Sequence, residues 1–177
     1  MNKTFAQWCS GAILVLSLIV IPSFAARADD GGNSRGFGSI EGTWVAVVPS
    51  GSTQTMPFLS MQTHTSTGQA FEENNTPQVR SGAQGEWVRT GRRQFQRTLL
   101  FFNFQPLNLS QGVRIYTGVT RVLSDITLDH GGDSYVAVSR FEVYNTNGVL
   151  IASGQNTAQA RRCGLGSSVP VCLGLTQ

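Results

Sequence analysis

From Ser39 to Arg162 the chain is a succession of short β-branched and aromatic runs, each broken by Gly, Pro, Asn or Asp. No stretch repeats its apolar residues at helical spacing. That pattern confines the chain to an all-β fold, because alternation at period 2 puts one face of each run toward a core and the other toward solvent. The runs begin with Thr43–Val48, stopped by Pro49-Ser50-Gly51-Ser52. They continue near 57–65 and 69–74, through the Gly85–Arg89 run, and from Arg93 to Phe104. Val113–Leu128 ends at Asp129-His130-Gly131-Gly132-Asp133, a hairpin turn by composition. Ser134–Asn145 follows, and Asn147-Gly148 predicts a type I′ turn into a last strand over about 149–161.

Eight consecutive strands joined by short connections predict an up-and-down antiparallel barrel. Closure removes the unpaired edges that invite aggregation. The alternative that eight strands also allow is a two-sheet sandwich.

The N-terminus bears on location. Lys3 precedes the apolar segment 12–21, and Ala26-Arg27-Ala28 offers an A-x-A cleavage site before Asp29. Residues 1–28 therefore read as a signal peptide whose apolar core is well short of the roughly 20 residues a membrane span needs. A secreted or periplasmic protein without a stable membrane anchor is expected. Residues 29–38 read as a Gly-rich linker, 39–162 as the barrel and 163–177 as a tail. Cleavage leaves roughly 150 residues, enough for one sizeable core. It also removes Lys3 and Arg27, so much of the +3 formal charge goes with the leader. The remaining cations are all Arg and are scattered, whereas a nucleic-acid reader gathers them on one face. No nucleic-acid partner is expected.

Cys163 and Cys172 flank a Gly- and Pro-containing loop. In an oxidising compartment such a pair reads as one structural disulfide. Zinc needs four ligands, and this spacing with no nearby His supplies two. No metal or cofactor is expected.

Gly42-Thr43-Trp44 at the start of the first strand, with Arg161-Arg162 at the end of the last, resembles the pattern of calycins, the lipocalins and their relatives. The run Gly85–Phe95 is similar to small secreted calycin-like proteins of bacteria. The resemblance implies a barrel whose tryptophan lies at the closed end, with an Arg from the last strand, Arg161 or Arg162, packed across the indole. It also implies a lipophilic ligand.

Catalytic signatures are sparse. His64 has no acidic or Cys neighbour at metal-ligand spacing, and His130, beside Asp129 and Asp133 in a Gly-rich turn, reads as a solvated turn residue. Glu72 and Glu73 are adjacent, so in a strand they point to opposite faces. No Gly-x-Ser-x-Gly elbow or phosphate-binding glycine loop is present. Arg97 is more telling: it shares a strand face with Phe95, Leu99 and Phe101. If that face is inward, the cation needs a partner, either an internal carboxylate such as Glu142 or the acidic group of a ligand. If it is outward, Arg97 is solvated.

The leading expectation is a binding barrel for a small lipophilic molecule, with a cavity lined by some of Leu59, Met61, Trp87, Phe95, Leu99, Phe101, Tyr135 and Phe141. Arg97, or else Arg89, is the expected anchor for a carboxylate. The rival readings are a barrel isomerase or cyclase resembling allene oxide cyclases, and a filled barrel with an adhesive role. Oligomeric state is open.

Overall fold

The computed structural model describes residues 38–49, 58–108, 110, 112–164 and 166–173. The leader 1–28 and the linker up to residue 37 lie outside the described residues. Eight strands follow one another: β1 (Gly42–Val48), β2 (Phe58–His64), β3 (Gln69–Asn74), β4 (Ala83–Arg89), β5 (Gln94–Asn108), β6 (Val113–Leu128), β7 (Ser134–Asn145) and β8 (Leu150–Arg162). Each pairs antiparallel with the next, and β8 returns to β1, so the sheet closes into an up-and-down barrel. A one-turn helix, α1 (Val169–Cys172), follows, too short to leave a periodicity in the sequence. The sulfurs of Cys163 and Cys172 sit at disulfide distance, with Cα atoms 5.1 Å apart.

Alternation explains the wall. Trp44, Ala46 and Val48 are buried on β1, and Phe95, Arg97 and Leu99 on β5, while the residues between them are more exposed. The strands differ in height. β1 to β4 have six or seven residues each and β5 to β8 have 12 to 16, so half of the wall stands taller. In the long pair β5–β6 the register slips between Asn103 and Phe104, opposite Gly118. Gly118 has φ 142°, and a Cβ there would lie 1.9 Å from the Tyr144 carbonyl oxygen, so only glycine fits.

One end of the barrel is packed solid. Ile40, Trp44, Phe95, Ile126, Leu128, Tyr135, Ala137 and Ala160 form its apolar base. The Trp44 indole is 0% exposed; its Nε1 donates to the Ile40 carbonyl at 2.7 Å, and the Tyr135 ring lies 4.8 Å away. Across the indole lies the guanidinium of Arg162, 4.2 Å from the ring. Arg161 does not fill that role. It pairs with Val45 and is exposed, whereas Arg162 pairs with Trp44 and sits one residue later, where alternation turns it toward the base. Arg162 also donates to the carbonyls of Ser39, Glu41 and Gly132, stitching three segments under the barrel.

The β7–β8 turn departs from the type I′ expectation. No residue other than glycine has positive φ among those described, so Asn147 is not left-handed as type I′ demands. Asn145 N–H instead bonds the Val149 carbonyl around a three-residue loop in which Gly148 alone, at φ 74°, is left-handed. Asn145 Oδ1 accepts from the N–H groups of Asn147 and Val149, and that cap supplies the stability the expected turn would have brought.

Truncating Trp44 to Ala removes the largest side chain of the base. An expected loss of about 3–5 kcal/mol in urea denaturation follows from the cavity left behind. A loss below ~1 kcal/mol would mean that the base collapses without its indole.

Candidate functional site

Above the apolar base the lumen turns polar. On β2 the inward positions are Ser60, Gln62 and His64, all about 2% exposed. From β3 comes Glu72, from β5 Arg97, from β6 Ser124 and from β7 Ser139, each buried. These side chains form one connected floor. Gln62 Nε2 donates to Ser60 Oγ at 2.9 Å and to Glu72 Oε2 at 2.8 Å. Gln62 Oε1 accepts from the Arg97 guanidinium and from the Tyr135 hydroxyl. Arg97 also faces His64 Nε2 at 3.3 Å and reaches Ser124 Oγ at 3.5 Å, and Ser124 bonds Ser139 at 2.8 Å. The other oxygen of Glu72 is held by Arg80, whose guanidinium lies 5.0 Å from the Phe58 ring and 4.2 Å from that of Phe101.

The electrostatics of this floor do not balance. Glu72 answers Arg80, but Arg97, 5% exposed, has no carboxylate partner among the described residues. Its contacts are a neutral amide, a hydroxyl and an imidazole. That imidazole is itself uncharged: burial, then the nearby guanidiniums of Arg97 and Arg162, hold His64 down at about 3. Burial pushes the Tyr135 hydroxyl up, with Glu72 adding to the shift and Arg97 opposing it, so it stays a donor to Gln62. Arg97 Nε, Arg80 Nε and His64 Nδ1 are buried without a hydrogen-bond partner.

Over the floor lies a cavity of about 210 Å³. Its apolar walls are Val48, Phe58, Leu99, Phe101, Val122, Phe141, Val143 and Ala158; Asn103, Thr120 and Asn156 add polar edges, and Gln62, Glu72, Arg80, Arg97 and Ser139 reach it from the network. Asn103 and Thr120 satisfy one another at 2.9 Å. The Asn156 side-chain amide bonds nothing among the described residues.

Four of the expected ligand contacts meet here: Arg97, Leu99, Phe101 and Phe141. Phe95 and Tyr135 also face inward but are consumed by the packed base. Trp87 packs against that base, its ring 5.7 Å from Phe95 and its Nε1 donating to the Thr65 carbonyl. Leu59 and Met61 are corrections. They face outward, Met61 at 58% exposure, because β2 turns its polar face to the lumen to meet Arg97 and Glu72. Arg89 is exposed at the closed end, bonding the carbonyls of Gly38 and Arg92 over the Phe95 ring. Glu142, the carboxylate considered for Arg97, lies on the outer wall and pairs with Arg121 at 2.7 Å. His130 is exposed in its turn, and Glu72 and Glu73 point apart, buried and exposed respectively.

Sequence reasoning passed over Gln62, Glu72, Arg80, Ser124, Ser139 and Asn156 as contributors. The alternation of Ser60, Gln62 and His64 against Leu59 and Met61 marks a two-faced strand; which face is inward is decided only by the register with β1 and β3. Comparisons of the chain with protein-family models, with curated proteins and with solved structures gave no match.

Two outcomes follow from the buried charges. Glu72→Gln leaves Arg80 without its counter-charge and should cost about 3 kcal/mol in denaturant unfolding, since breaking a buried pair strands the surviving ion. His64 binds a proton near 6.5 when unfolded and near 3 when folded. Between those values the unfolded chain holds more protons, so stability is full above 6.5 and falls as pH drops toward 3. Between pH 7 and pH 4.5 this amounts to about 3 kcal/mol. Urea midpoints across that range should show the slope, and His64→Gln should flatten it.

Proposed function

We propose that this chain is an exported binding barrel that holds a small, mostly apolar molecule carrying one acidic group. The observation that carries the reading is Arg97, a buried guanidinium at the bottom of a cavity with no carboxylate to answer it among the described residues. An isolated buried charge costs several kcal/mol. A carboxylate entering the cavity relieves that cost with a charge-assisted bond, while the Leu, Val and Phe walls contribute roughly 25 cal/mol per Å² of ligand surface removed from water. The arrangement fits a container: apolar walls with few, convergent polar groups. The stacking of Arg162 on Trp44 at the closed end agrees with the calycin resemblance. Export rests on the leader-like N-terminus and the Cys163–Cys172 pair.

Calorimetric titration with paired acids and alcohols of equal carbon skeleton tests the reading. The acid is expected to bind at least about tenfold more tightly, the worth of one hydrogen bond to a charged group. Arg97→Leu should erase the preference while keeping the alcohol's affinity. An unchanged preference in Arg97→Leu removes Arg97 as the anchor.

A further inference from the structure

Among the described residues, the ionisable side chains that reach the cavity are two guanidiniums, Arg80 and Arg97, and one carboxylate, Glu72. His64 beneath them is neutral at pH 7. One positive charge is left over, so a single negative charge on the occupant brings the site to neutrality; a second would be buried without a counter-charge.

Size narrows the occupant further. Binding sites for drug-sized ligands begin near ~300 Å³, and an apolar cavity of roughly 150 Å³ accepts benzene. At about 210 Å³ this cavity has room for one ring and a short acidic arm. Shape adds to this. Arg80 lies over the rings of Phe58 and Phe101. Phe141 instead leans over bare backbone at Gly154, where a Cβ would meet its ring at 2.5 Å, and so presents a flat aromatic wall to the cavity.

A second donor lines the same cavity, three strands round the wall from the cation. Asn156 pairs across the sheet with Ser139, which bonds Ser124, which bonds Arg97. Its amide reaches the cavity with no partner of its own among the described residues, while Arg97 keeps a buried, unsatisfied Nε.

Resting on the container reading above, we propose that the cavity takes a compact monocarboxylate built on one aromatic ring, its acid group shared between the Arg97 guanidinium and the Asn156 amide. Asn156 is then the specificity residue: its N–H donors recognise the carboxylate, and its neutrality preserves the one-charge surplus.

The experiment is calorimetry on the purified protein with four probes: phenylacetate, the dianion phenylsuccinate, hexadecanoate and benzyl alcohol. Phenylacetate is expected to bind at least about tenfold more tightly than each of the other three. Asn156→Leu should weaken phenylacetate about tenfold and leave benzyl alcohol unchanged. Asn156→Asp, which places a fixed negative charge in the cavity, should abolish phenylacetate binding and raise the melting temperature of the ligand-free protein. Tighter binding of hexadecanoate overturns the single-ring class and leaves the container standing. Tighter binding of the dianion overturns the charge count. If phenylacetate binds equally to the wild type and both Asn156 variants, Asn156 has no part in recognition. If none of the four probes binds, the container reading itself falls.

Discussion

Closure of the barrel hangs on a seam of four residue pairs, from Trp44 opposite Arg162 to Val47 opposite Gln159. This is the most sequence-distant pairing in the sheet, with the longest loop to close, so it forms at the greatest entropic cost. The residues at its end offset that cost. Arg162 covers the Trp44 ring and ties the carbonyls of Ser39, Glu41 and Gly132 together, and the indole N–H is satisfied by Ile40. Cys163 N–H bonds the Thr43 carbonyl, extending the seam by one residue before the tail begins. Every other strand pair joins sequence neighbours. Without the seam, β1 and β8 would each present an unpaired edge and the lumen would open to water.

Once the wall is closed, the lumen has to be filled or lined, and the two ends solve this differently. Large rings fill the base. Higher up, Ala46, Ala70, Ala83 and Ala158 are too small to meet across the barrel, and polar side chains span the gap. Polar groups in such a place must bond one another. Gln62 does so with both ends of its amide at once, joining Ser60 and Glu72 on one side to Arg97 and Tyr135 on the other. The network is well bonded but electrically unbalanced, and that imbalance separates a lined cavity from an ordinary core.

Much of the architecture was legible in the sequence because it is local. Period-2 alternation located the strands, and Val113–Leu128, Ser134–Asn145 and the 69–74 run have the predicted bounds. Glycine and asparagine marked the turns, although Asn147-Gly148 misled on turn type because the side chain of Asn145 caps the longer loop. The site was less legible because alternation defines two faces without saying which is inward. On β5 the apolar face with Arg97 is inward; on β2 the same rule sends Leu59 and Met61 to the wrong side. A lumen that carries a polar floor inverts the usual link between burial and hydrophobicity. Asn156 left no local signal at all, since its meaning comes from the cross-strand neighbour Ser139 and from what Arg97 lacks.

The same polar floor also weighs a binding role against the barrel-isomerase reading. A general base must offer a lone pair to the substrate within hydrogen-bond reach. Both oxygens of Glu72 are already engaged, by Arg80 and by Gln62. The Tyr135 hydroxyl is turned to Gln62 within the packed base, and His64 Nε2 faces the Arg97 guanidinium. Glu72 and Tyr135 are therefore engaged by the network that holds the floor together, and His64 is tied to it through Nε2 while its Nδ1 stays buried and unbonded. What stays available among the described residues is a cation short of an anion and the half-buried Asn156 amide, which bonds none of them. Two such groups suit an anion, which is why the proposed role is retention of an acid rather than its conversion.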